Sequence, residues 1–136
     1  MRISASRLAR EIAARLNPVV PQPFRVSAAG AELRIEHSGG WYGIMALDWL
    51  EDPVDDRSVA ELAELAIGNA LNSLQDAVSE ASREPWPPLS PEFPRVMAPY
   101  ETHFDGTRVR FWYGRSEDAP AIAFMPIMLL DVVQGQ

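Results

Sequence analysis

Cysteine is absent from the 136-residue sequence, and so is lysine: all 12 basic residues are arginine. The first absence excludes disulfide frameworks, thiolate catalysis and cysteine-ligated metals. The second excludes lysine nucleophiles and Schiff-base chemistry. Positive charge is also in deficit. The formal net charge is −7 and the pI about 4.7, the reverse of the basic footprint of a nucleic-acid binder, so no nucleic-acid partner is expected. Long apolar runs are missing too. The most apolar stretch, Ala121 to Val133, is broken by Pro126 and Asp131 and falls short of the ~20 apolar residues that span a bilayer, so no membrane segment is expected. The opening MRISASRLAREIAARL has no uninterrupted apolar core of the secretory kind. Its arginines and shortage of acid give it a superficial likeness to a transit peptide, but it reads as the first helix of a domain. A cytoplasmic protein is the simplest expectation.

What remains is globular in composition, 47% hydrophobic and 23% charged, and long enough for one domain, residues 1–136, with its own core. Ser4 is placed to cap a first helix in which Leu8, Ile12 and Leu16 recur every four residues, and Asn17-Pro18 stops it. After the proline-rich link 18–23 the period changes to two. Phe24, Val26 and Ala28, then Leu33 and Ile35 across an Ala29-Gly30 turn, predict a hairpin with one buried and one wet face. Ser38-Gly39-Gly40 turns the chain into a third strand over Trp41 to Leu50, completing a meander. The loop from Glu51 to Arg57 is acidic. Ser58 and Glu61 form a capping box, opening a long helix from Val59 to about Arg83. Its stripe of Leu62, Ala63, Ala66, Ala70, Leu74, Ala77, Val78 and Ala81 predicts close approach to an underlying sheet.

Pro85 to Pro94 holds five of the 12 prolines around Trp86 and Phe93, a rigid extended connection. Tyr100, Thr102 and Phe104 then alternate with Glu101 and His103, and Asp105-Gly106 predicts a two-residue type I′ turn. That turn would set Thr102 against Val109 and Glu101 against Arg110. The apolar face would carry Tyr100, Phe104, Val109, Phe111 and Tyr113; the other would carry His103, Arg108 and the Glu101/Arg110 charge pair. Ala121 to Met125 reads as a last strand. The expected architecture is α+β in two layers: an antiparallel sheet of five to six strands with two helices on one face, in the order α-β-β-β-α-β-β-β.

Glu84-Pro85-Trp86-Pro87 after the long helix, the turn Phe104-Asp105-Gly106, and the run Val109-Arg110-Phe111-Trp112-Tyr113-Gly114 resemble a family of small uncharacterised actinobacterial proteins. In that family a Pro-Trp-Pro follows the helix, a Trp-Tyr-Gly ends a strand and a proline interrupts an apolar tail, here Met125-Pro126-Ile127. The all-arginine basic set suits a GC-rich genome. The element order is also similar to type III secretion chaperones and YbjN-like proteins, a likeness of fold without a shared site.

Candidate chemistry is sparse. Glu101 and His103 share a strand face, but a metal site needs three or four ligands and His37 is the only other histidine; no metal and no cofactor are expected. His37 has the parity of Leu33 and Ile35 and is expected at the edge of the apolar face. No serine lies in G-x-S-x-G, and Ser38-Gly39-Gly40 lacks the lysine and helix of a phosphate loop. The acidic residues Asp48, Glu51, Asp52, Asp55 and Asp56 lack the order of a calcium loop. They do oppose the arginines at 2, 7, 10, 15, 25 and 34, a polarity able to steer a protein partner or a homodimer. Trp112 falls on the charged hairpin face opposite Pro99, either exposed beside Arg110 as a binding hot spot or covered by the Pro-Trp-Pro segment or the tail. The tail, with Ile127 and Leu129, either docks on its own domain or binds another chain.

No nucleophile, base and orienter can be assembled. The expectation is therefore a non-enzymatic protein-interaction module of chaperone-like character. Its candidate binding residues are Trp112, Arg110, His103, Trp86, Ile127 and Leu129, and its expected partner is a protein or a second copy. The alternative is a small-molecule binder or minor enzyme with a cavity between helix and sheet, using His37, His103 and Glu101.

Overall fold

Ser4 does cap the first helix: its Oγ accepts from the Arg7 backbone N–H, and α1 (Ala5–Leu16) follows a short strand β1 (Arg2–Ile3). The computed structural model describes residues 2–51 and 58–134. Ala5, Leu8, Ala9, Ile12, Ala13 and Leu16 of α1 are buried. They lie against the first two strands of the meander β2 (Arg25–Ala29), β3 (Glu32–His37) and β4 (Gly40–Ala46). Val26 pairs with Ile35 and Ala28 with Leu33, which puts the period-two apolar set on one face. The third strand ends at Ala46 rather than Leu50. A short 3-10 turn, Asp48–Glu51, takes over and buries Leu50.

The second helix, α2 (Val59–Ser82), opens with the capping box in place: Ser58 Oγ accepts from Glu61 N, and the Glu61 carboxylate accepts from Ser58 N. Such a cap contributes about 1 kcal/mol. Its small-residue stripe brings the sheet close. A Cβ added at Gly68 would touch Tyr100 and Thr102 at 3.7 and 3.8 Å. Beneath it run β5 (Tyr100–Phe104), β6 (Arg108–Tyr113) and β7 (Ile122–Ala123), with β8 (Ile127–Met128) also paired to β6. The chain ends in α3 (Leu129–Val132) and β9 (Val133–Gln134), which pairs with β1.

The α+β class is as expected, and the buried residues form a core cluster running from Ile3 to Val132. The single sheet is not. Hydrogen bonding gives a three-stranded meander and a separate four-stranded sheet. The strands β4 and β5 both pack against α2, so α2 bridges the two larger sheets, while α1 covers the β2–β3 side of the meander. Among the described residues no helix is long and apolar enough to cross a membrane.

The tail docks on its own chain. Ile127 sits opposite Val109 and Met128 opposite Arg108, and Leu129 N donates to the Thr107 carbonyl at 3.0 Å. Two arginines of the basic first quarter hold it down. Arg7 Nη1 donates to the Val133 carbonyl at 3.0 Å, while Arg15 Nε and Nη2 reach the carbonyls of Met125 and Pro126 at 3.0 and 2.9 Å. Part of the expected charge polarity is thus spent inside the molecule. Of the acidic segment, Asp52, Asp55 and Asp56 lie outside the described residues, and the Glu51 carboxylate accepts from Gln134 Nε2 at 2.7 Å.

Candidate functional site

The hairpin of β5 and β6 has two faces of different chemistry, as its alternation requires. Phe104 lies opposite Val109, Thr102 opposite Phe111 and Tyr100 opposite Tyr113. The expected register is displaced by two residues. The cause is the Asp105 side chain, whose Oδ1 accepts from the backbone N–H groups of both Thr107 and Arg108, an Asx-type arrangement. The reversal therefore centres on Gly106, at φ +104°, and Thr107, rather than on Asp105-Gly106. A two-residue slip preserves parity, so the faces survive. The cross-strand partners do not: Glu101 opposes Trp112, and His103 opposes Arg110.

On the inner face Tyr113 is fully buried and its hydroxyl donates to the Leu71 carbonyl at 2.6 Å. Burial, then the nearby negative charge of Asp76, pushes its phenol far above the usual range. Trp86 packs edge-on against it, with centroids 5.4 Å apart. Trp86 is 6% exposed and Ile127 1%, so both are core residues and neither lies on the hairpin's outer face. Leu129 is half-buried against the same core.

The outer face gathers the other three candidates, Trp112, Arg110 and His103. His103 is exposed. Trp112 is 9% exposed, so it is not an exposed hot spot, and the strand before the tail runs beside it, Ala123 pairing with Trp112. Arg110 Nη1 meets Glu117 Oε1 at 2.8 Å. Its Nε lies 3.7 Å from Asp105 Oδ2, too far for a hydrogen bond, and that oxygen already accepts from Arg108 Nε at 3.0 Å. Two side-chain donors are consequently shut away from solvent with no acceptor: Arg110 Nε and Trp112 Nε1. Both residues line one cleft of about 270 Å³, walled by Arg108, Phe111, Phe124 and Pro126. An unpaired buried donor costs roughly 1–3 kcal/mol, which makes two in one cleft conspicuous.

The cleft sits over a break in the strand pairing. The β7 strand covers Trp112 and Tyr113, β8 covers Arg108 and Val109, and residues 124–126 loop between them. Met125 in that loop is 75% exposed and Met128, opposite Arg108, is 41% exposed; these polarisable side chains flank the lining residues in sequence. Charge is balanced, since Asp105 and Glu117 answer Arg108 and Arg110. The Arg108 guanidinium, with the turn N–H groups, holds the Asp105 carboxyl well below the usual carboxylate range.

His37 and His103 are not brought together. His37 lies at the far end of the meander, edge-on to Phe24 at 5.7 Å, with its Nδ1 accepting from Gly39 N. It lines a different cavity from the Arg110 cleft. Among the described residues no three His, Asp or Glu side chains gather as metal ligands. Sequence reasoning overlooked the cleft and its flanking methionines. It singled out Trp112, Arg110 and His103 by strand parity, but which donors lack acceptors depends on side-chain rotamers and on residues 117–126. No protein-family model, curated protein or solved structure matches the chain.

Proposed function

We propose that this chain is a non-enzymatic protein-interaction module whose docking surface is the outer face of the second sheet, at the Arg110–Trp112 cleft and the flanking Met125 and Met128. The observation that carries this reading is that Arg110 and Trp112, whose buried Nε and Nε1 have no acceptor among the described residues, line the same cleft. An extended segment of a partner laid across the break in β6 pairing would supply carbonyl oxygens to both and an apolar side chain to the methionines. A chaperone-like role fits flanking methionines that can repack around different sequences. The partner is a protein in a cytoplasmic setting, and a second copy of the chain is the homodimeric version of the same contact.

The test is affinity capture of partners, followed by calorimetry with the purified partner and by light scattering for self-association. Trp112→Phe and Met128→Ser are compared with the wild type. Loss of affinity by about tenfold or more in Trp112→Phe is expected. Equal affinity of both variants, or no partner and a monomer at every concentration, would sink the reading. Truncating the tail would not be a clean experiment, because Ile127, Val132 and Val133 are core residues.

A further inference from the structure

A second cavity, of about 420 Å³, lies at the other end of the molecule. There the 21–24 link, the turn after β3 and the C-terminal end of α2 converge. Its volume is in the range of small-molecule sites. Phe24, His37 and Trp86 line it together with Pro21, Pro23, Pro85 and Pro88, so its walls are aromatic rings and proline edges.

Its electrostatics have one sign. Among the described residues no arginine lines this cavity, and the one charged lining residue is Glu84. Ala81 and Ser82, in the last turn of α2, also line it. The end of a helix carries roughly half an elementary negative charge on its unpaired carbonyls. Aromatic faces add a negative quadrupole. Arg83 follows as the left-handed C-cap and is the nearest cation in sequence, but it is not part of the lining.

From this convergence we infer that the cavity is a binding site for a small organic cation, an alkylated ammonium group on an apolar body. An anion would meet a helix terminus of the wrong polarity and no arginine. A metal ion would find one carboxylate and one imidazole, short of a ligand set. An ammonium shielded by alkyl groups matches all three features: apolar walls for its body, ring faces for its charge, and Glu84 with the helix carbonyls at its rim. The inference is independent of the interaction surface, which lies on the outer face of the other sheet.

The test uses the intact, isotope-labelled chain and two isosteric probes, choline and the uncharged 3,3-dimethylbutan-1-ol, titrated by NMR. Choline is expected to move the resonances of Phe24, Ser38, Ser82 and the Trp86 indole saturably, and to bind roughly tenfold more tightly than the alcohol. Glu84 is exposed, so Glu84→Gln leaves the fold intact and should weaken choline by about threefold. Phe24→Leu keeps an apolar wall but should shrink the difference between the probes. Equal binding of the two probes, no saturable shift with either, or shifts centred on a separate cleft lined by Ile44, Ser73, Asp76 and Glu80 would each overturn the inference.

Discussion

Tyr113 and Trp112 are neighbours on β6 and both are buried, yet they end in opposite situations. Tyr113 faces α2 and finds the Leu71 carbonyl at 2.6 Å; Trp112 faces outward beside the strand before the tail, and its N–H finds nothing among the described residues. Burial alone does not distinguish core from binding site. Whether the polar atom that goes in with the ring is satisfied does. By that criterion the inner face of the second sheet is finished structure, and the outer face is where the proposed docking surface lies.

The largest test of this contrast is Trp86→Ala, which removes the ring packed on Tyr113. Loss of a fully packed tryptophan should cost about 3–5 kcal/mol in denaturant unfolding. A cost below 1 kcal/mol would move Trp86 out of the core. Next comes the pair Tyr113→Phe and Trp112→Phe. The first deletes a satisfied hydrogen bond and should cost about 1 kcal/mol. The second removes an unpaired donor along with some ring, two effects that oppose one another, and should leave stability within about 1 kcal/mol of wild type.

The same tyrosine predicts an alkaline limb. Because its folded value is raised, its contribution is complete below the ordinary phenol range near 10 and fades as pH rises beyond it, since only the unfolded chain then ionises. Tyr113→Phe should flatten that limb.

Smaller effects belong to the wet faces. Arg34 stands 3.9 Å over the ring of Trp41 and pairs with Glu32 at 2.7 Å. Arg34→Ala should cost about 0.5–1 kcal/mol, and less at high salt. Asp105→Asn should lower stability at neutral pH and lose that effect in acid. A depressed carboxylate stabilises above its ordinary value of 3.8, and that contribution is lost as pH falls below it. The variant's stability curve should therefore lose slope below about pH 4; an unchanged slope would contradict the role given to this turn.

Much of the fold was legible because its determinants are local. The Ser4 cap, the Ser58/Glu61 box, the four-residue spacing in α1 and the alanine stripe of α2 each act within a few residues. The faces of the second hairpin were legible from parity, and parity is immune to a two-residue slip. The register itself was not, since it depended on whether Asp105 served as a turn position or as an acceptor for Thr107 and Arg108. The division into two sheets was hidden for a different reason: it depends on how β4 and β5 meet α2, a contact far apart in sequence. The docked tail was ambiguous because Arg7 and Arg15 hold it through backbone carbonyls, which leave no trace in side-chain patterning.

The outer face rests on one proton. In an indole-resolved NMR spectrum of the labelled chain, the Trp112 N–H, identified by its loss in Trp112→Phe, should move downfield and become protected from exchange when a saturating partner is added, while the other indoles hold their positions. A Trp112 resonance that stays in place under saturation would contradict the proposal that this surface docks a partner through its buried donors.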